Sequence, residues 1–227
     1  MSGDRLSGLQ WRILEILSGL EPQWTLTGGA ALAGIHLKHR TTKDLDLFFR
    51  KVGQLGALPD EVRSRLAEEG LEVSTLRSGS TFTQLRVGDG IAICIVDLVA
   101  EPVPSLEPPL QVPIGETVIA VDTPHEILVN KLCALLGRSE LRDLEDVRVL
   151  LERGGDLERA LADAPQKDGG FSPLTLAWVL RGFHPRALAP AIGLNEEAAE
   201  RLEHFKQSLI QRLLDSASPE KSQSGDI

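Results

Sequence analysis

Trp24–Arg50, WTLTGGAALAGIHLKHRTTKDLDLFFR, is the stretch around which the rest of the chain is read. Trp24 to Thr27 is rich in β-formers, Gly28-Gly29 lets the backbone turn sharply, and Ala30 to Leu37 has the small and apolar residues of a packed helix. Bare amides at a helix start, with no side chain in the way, favour a phosphate. In Asp44-Leu45-Asp46-Leu47-Phe48-Phe49 the β period of two places both carboxylates on one face and turns Leu45, Leu47 and Phe49 into the core. Adjacent carboxylates repel unless a cation lies between them, and a divalent metal holding nucleotide phosphates explains such a pair beside a phosphate-binding turn. A Gly-Gly turn alone, or an Asp-x-Asp strand alone, is common; in this order and proximity they point to nucleotidyl transfer.

Composition narrows the alternatives. With 227 residues and 42% hydrophobic content the chain can bury a real core, and no apolar run approaches membrane-spanning length. The start MSGDRLSGLQ lacks the pattern of a signal peptide, so a cytoplasmic address and no membrane partner are expected. Cys94 and Cys133 have no metal-type spacing and read as reduced, packed thiols. The net charge of −9 argues against a broad basic coat for nucleic acid, and with no Tyr, six Phe and three Trp no aromatic stacking platform is visible. Any RNA contact is therefore expected to fall on phosphates.

Along the chain, Leu6, Leu9, Ile13, Leu17 and Leu20 recur at helical spacing, and Glu21-Pro22 ends that helix. Pro59 to Glu69 reads as a second helix. Leu71 to Arg77, Thr81 to Val87 and Ile91 to Val99 read as strands, the last two joined in a hairpin at Gly88-Asp89-Gly90. Asp97 interrupts the apolar run of the third. It either joins Asp44 and Asp46 as a third metal-binding carboxylate that also orients an attacking hydroxyl, or it simply caps the sheet. Glu101 to Pro113 holds five prolines and reads as a surface connection before a last short strand, Thr117 to Val121.

Helices follow. Thr123-Pro124-His125-Glu126 forms a capping box opening a helix to about Leu136, on which Lys131 lies among apolar residues and wants an anion, as triphosphate-binding lysines do. Ser139 to Arg153 reads as the next helix, with Asp143 and Asp146 on one face and Arg142 placed to pair with Asp146. Asp156, Ser172 and Asn195 open further helices, the last running to Asp215 with Leu202, Phe205, Leu209 and Leu213 as its stripe. His184, Arg186, His204 and Lys206 read as scattered surface charge. The expected domains are 1–122, a core with its N-terminal helix, 123–215, a helical domain, and 216–227, a disordered tail.

The segments TGGAALAGIHLKHRTTKDLDLFF, VDL at Asp97 and NKLCALLGRSELRDLEDV, in that order, resemble the AbiEii family of nucleotidyltransferase toxins from prokaryotic type IV toxin–antitoxin systems. The resemblance spans roughly 24–151. It implies an α+β, polymerase-β-like nucleotidyltransferase fold, a small mixed sheet flanked by helices, followed by a C-terminal helical domain. It further implies that Gly28 and Gly29 bind phosphate, that Asp44, Asp46 and Asp97 hold metal, and that Lys131 contacts the nucleotide phosphates. Arg138, Arg142, Asp143 and Asp146 match the segment after that lysine, and Arg138, Asp143 and Asp146 are expected with it among the nucleotide-binding residues. Where the family often has Ser or Thr after the glycines, this chain has Ala30.

The expectation is a Mg²⁺-dependent (or Mn²⁺-dependent) transferase that moves NMP from an NTP to an acceptor hydroxyl, on RNA such as a tRNA 3′ end, as a toxin with a cognate antitoxin. One metal activates the acceptor oxygen and a second neutralises the leaving pyrophosphate. The acidic composition keeps open a protein or small-molecule acceptor, and Ala30 keeps open a non-catalytic binding member of the fold.

Overall fold

Ser7 starts the first helix, α1 (Gly8–Leu17), with a capping box: its hydroxyl accepts from the Gln10 N–H, and the Gln10 side chain accepts from the Ser7 N–H. In this computed structural model, residues 5–38, 40–138 and 140–218 are described. The chain divides into two compact units, Met1–Ile127 and Leu128–Ile227.

In the first unit α1 is followed by β1 (Thr25–Thr27) and α2 (Gly28–Ala30), which passes directly into a π-helical stretch, Ala31–His36. Then come β2 (Asp44–Arg50), α3 (Leu58–Glu68), β3 (Glu72–Ser78), β4 (Phe82–Gly88), β5 (Ile93–Glu101), β6 (Leu110–Ile114) and β7 (Thr117–Val121). The seven strands form one mixed sheet in the order β3-β4-β5-β2-β1-β7-β6. β2 pairs parallel with β5 and β1 parallel with β7, while the other neighbours are antiparallel. The expected α+β class, with a mixed sheet flanked by helices, is what the chain adopts.

Burial alternates along the central strands with the period of two that the sequence carries. Leu45, Leu47, Phe49, Leu85, Val96 and Leu98 are fully buried on one face. Ile13, Leu14 and Leu17 of α1 and Val62 and Leu66 of α3 are buried with them, α1 lying against α3 and β5. The opposite face is only half-buried and carries Asp44, Asp46, Gln84 and Asp97. One face is thus packed into the core, while the other sets polar groups among Phe48, Phe82, Ile95 and Val99.

Several boundaries shift by one or two residues from the sequence reading, and two differences go further. Leu110–Ile114, expected as part of a surface connection, is the strand β6, paired antiparallel with β7 at the sheet's edge. Proline obscures it: Pro113 has no N–H to give a ladder, which an edge strand tolerates because one side needs no partner. At the far end the helix expected to stop at Asp215 continues to Ala217, whereas 219–227 of the expected disordered tail lie outside the described residues.

The division between the units falls within α4 (Pro124–Gly137), whose start is fixed by the Thr123 hydroxyl accepting from the Glu126 N–H. The second unit continues with α5 (Leu141–Glu152), α6 (Leu157–Asp163), α7 (Pro173–Arg181), α8 (Pro185–Leu188) and α9 (Glu196–Ala217). Ser139, the expected start of α5, lies outside the described residues. Asp156, Ser172 and Asn195 cap α6, α7 and α9 through side-chain oxygens, as the sequence predicts. Lys206 is a correction: it is buried, its Nζ donating to the Phe183 carbonyl at 2.8 Å and pairing with Glu203 at 2.6 Å. Among the described residues no helix is long and apolar enough to cross a membrane.

Candidate active site

The parallel register of β2 and β5 sets Asp46 opposite Asp97. Neighbouring strands lie about 4.8 Å apart, so the two carboxylates share one patch of the open face. Asp44, two residues before Asp46, lies on that face opposite Ile95. The row extends to both sides, with Thr27 opposite Asp46 and Gln84 opposite Asp97. Gln84 Nε2 donates to Asp97 Oδ1 at 2.9 Å, which fixes one carboxylate oxygen and leaves its geometry set before any ligand arrives. The strand order thus places Asp97 beside Asp46.

The charge concentrated there is felt by a neighbour. Burial, and then Asp44 and Asp97, push the Cys94 thiol up to about 12. Among the described residues no three or more His, Cys, Asp or Glu are gathered as a metal-binding group. The donor chemistry nonetheless fits a hard divalent cation. Mg²⁺ is commonly held by one or two carboxylates and takes the rest of its shell from phosphates and water, and Asp46 and Asp97 offer two all-oxygen donors on a half-buried surface.

The glycine turn lies against this pair. Gly28 has φ +62°, and a Cβ there would stand 2.1 Å from Asp46 Oδ2, so only glycine permits both the backbone conformation and the approach of the carboxylate. At Gly29 a Cβ would lie 2.9 Å from Arg40 Nη2 and 3.4 Å from Thr42 Oγ1. The turn is therefore flanked by a guanidinium on one side and a carboxylate on the other. Thr27, at the N-cap, makes no side-chain capping bond. Ala30 is fully buried, so its methyl belongs to the core. The π-helical stretch after it ends at His36, whose Nε2–H donates to the Asp122 carbonyl at 2.8 Å; burial lowers its pKa, which that hydrogen bond only partly offsets.

In the second unit Lys131 is buried between two acids, with Nζ 2.6 Å from Asp143 Oδ1 and 3.0 Å from Asp146 Oδ2. Arg138 Nε also reaches Asp143, at 3.1 Å from Oδ2. Burial alone would lower the lysine's pKa, but Asp146 and Asp143 reverse that and raise it. The anion that Lys131 wants is thus first supplied by its own unit. The expected Arg142–Asp146 pair is replaced by this arrangement, Arg142 being exposed.

The sequence reading did not single out three residues at the site. Gln84 and Thr27 enter only through strand order, which no local pattern reveals. Arg40 had a weak signal, a basic residue two positions after Lys38 in the segment between turn and strand, but only the fold brings it onto Gly29.

The profile of the family described as "Nucleotidyl transferase AbiEii toxin, Type IV TA system" matches residues 12–220. No curated protein matches the sequence. Among solved structures the chain is similar to JHP933 from Helicobacter pylori, with 19% identity, 92% of each chain covered and a TM-score of 0.52. It is also similar to a candidate nucleotidyltransferase from H. pylori, with 18% identity, 91% of this chain and 94% of that one covered, and a TM-score of 0.52. At such identities the likeness speaks for the fold.

Proposed function

The chain belongs to the AbiEii nucleotidyltransferase toxin family, and from that premise we propose that it transfers NMP from an NTP to a hydroxyl of RNA, at a tRNA 3′ end, using Mg²⁺ or Mn²⁺. The observation that carries this reading is the placement of Asp46 between Asp97 on one side and the Gly28 turn on the other. A carboxylate pair and an anion-receptive turn in direct contact suit a substrate that is itself a metal-bound polyphosphate.

In this mechanism the acceptor oxygen attacks the α-phosphorus of the NTP, the bond from that phosphorus to the bridging oxygen of the β-phosphate breaks, and pyrophosphate leaves. A bound divalent cation would be held by Asp46 and Asp97, with Asp44 beside them, and would offset negative charge on the phosphates. Asp97, held by Gln84, orients the acceptor hydroxyl and receives its proton. Gly28 and Gly29 let phosphate oxygens approach the backbone, and Arg40 beside Gly29 supplies a positive charge there. For Lys131, two of whose three N–H donors Asp143 and Asp146 take within its own unit, the contact with nucleotide phosphate is the role the family resemblance implies. Arg138, Asp143 and Asp146 hold that lysine in place. The family's type IV toxin–antitoxin setting supports an antitoxin partner for the chain.

The test is transfer of label from each α-labelled NTP, with Mg²⁺ or Mn²⁺, into fractions of a cell extract. Label in RNA, concentrated in tRNA, is the expected result. Label confined to protein or to a small molecule would move the acceptor to that class while keeping the transferase; no label with any NTP would point to a non-catalytic member of the fold.

A further inference from the structure

The carboxylate row does not end at Gln84. β3 pairs with β4 so that Arg77 stands opposite Gln84, extending the row to Arg77–Gln84–Asp97–Asp46 across four neighbouring strands. Arg86 lies in the adjacent row, opposite Ile95 of β5 and Ser74 of β3, and so projects from the same face. A register shift between Thr75 and Arg77 creates this alignment. In an unbroken ladder Leu76 would meet Gln84; the extra residue brings Arg77 level with it instead, the kind of re-aiming that bulges perform beside active sites.

Both arginines are uncommitted: neither makes an ion pair or side-chain hydrogen bond with another described residue. In the same chain, which has 33 acids to 24 lysines and arginines, Arg65, Arg148 and Arg201 are paired with glutamates. β3 is exposed along nearly its whole length and forms an edge of the sheet, so a ligand can lie on this side. The two rows are about 7 Å apart along the strands, comparable to one nucleotide step. Phe82, half-buried on the same face of β4, offers a ring beyond Gln84.

Resting on the transferase reading, we infer that the open face of β3 and β4 seats the acceptor: Arg77 and Arg86 take successive phosphates of a single-stranded RNA end and point its terminal hydroxyl at Asp97. Guanidinium forks suit phosphate oxygens in a way that the rest of this acidic surface does not. The arrangement also answers how a chain of net charge −9 can recruit RNA without a basic coat. Two well-placed cations beside the carboxylates do locally what overall charge cannot.

The experiment uses the full chain and a fluorescein-labelled single-stranded oligoribonucleotide, read by anisotropy over a range of salt. Arg77→Gln and Arg86→Gln should each weaken RNA binding about tenfold or more and lower the log–log salt slope by about one, with an unchanged melting temperature. Arg77→Lys and Arg86→Lys should keep the salt slope, since the charge remains. NTP affinity, measured by calorimetry on the same preparations, should not change. The inference is overturned if the Gln variants bind the oligonucleotide like the parent, if the parent does not bind it, or if an acidic peptide of equal charge binds as tightly. Failure of the parent to bind or transfer NTP is a separate result, and counts against the transferase reading instead.

Discussion

Asp46 and Asp97 face each other across the parallel pairing of β2 and β5, with the Gly28 turn against Asp46 and the Gln84 amide against Asp97. Their mutual repulsion is a cost in the ligand-free protein and an advantage once a divalent cation arrives. Asp46→Asn should therefore lower nucleotidyl transfer by at least about a hundredfold while leaving the melting temperature in metal-free buffer equal to or above that of the parent. Transfer assays with α-labelled NTP and a thermal melt check both halves. Transfer at the parent's rate would place the metal elsewhere.

Gly28→Ala meets two obstacles, a φ of +62° and a Cβ position 2.1 Å from Asp46 Oδ2. The backbone conformation alone costs about 1–2 kcal/mol, and the carboxylate must also move. The melting temperature should fall by roughly 2–8 °C and metal–NTP binding should be lost. Gly29→Ala, whose nearest neighbour is the flexible end of Arg40, should melt closer to the parent but bind NTP more weakly. Calorimetry with metal–NTP and a thermal melt on the two variants separate turn geometry from charge.

Lys131 changes its expected behaviour once the structure is known. On sequence grounds its removal leaves the fold intact and weakens NTP binding, whereas burial between Asp143 and Asp146 means that Lys131→Met takes a buried cation away from two buried carboxylates. That should destabilise the protein by about 3–5 kcal/mol, and adding Asp146→Asn should restore part of it. Because the folded pKa lies above the ordinary 10.5, the ion pair's contribution is complete below pH 10.5 and is lost as pH rises through the folded value. Denaturant melts from pH 7 to 11 should show a constant difference between parent and variant that shrinks only at the alkaline end.

Cys94 and Cys133 are free, with pKa values of about 12 and about 11 respectively. At pH 8 the folded protein should have roughly one thiolate in ten thousand at Cys94 and one in a thousand at Cys133, so both react slowly with a disulfide reagent. Denaturation should release two rapid equivalents. Fast reaction of the native protein would mean that the burial holding these values up is absent.

Local patterns were enough for much of the architecture. The alternation in Asp44–Phe49 sets which side chains face the core, because a strand's period is fixed by its backbone whatever surrounds it. Asp156, Ser172 and Asn195 announced their helices, since a cap bonds within its own first turn. Gly28-Gly29 and Asp44-x-Asp46 could be read as one site because few residues separate them.

What the sequence left undecided depends on residues far apart in the chain. Asp97 meets Asp46, and Gln84 meets Asp97, through strand pairing, and pairing is chosen by the whole sheet. The shift that brings Arg77 level with Gln84 has no marker in EVSTLRS, and Pro113 hid an edge strand that a partner on one side suffices to hold. Lys131 is the clearest case. Its apolar neighbours announced that a buried ammonium needs an anion, a requirement set by desolvation alone. Which anion meets it first was decided by the packing of α4 and α5, which carries Asp143 and Asp146 to within 3.0 Å of it.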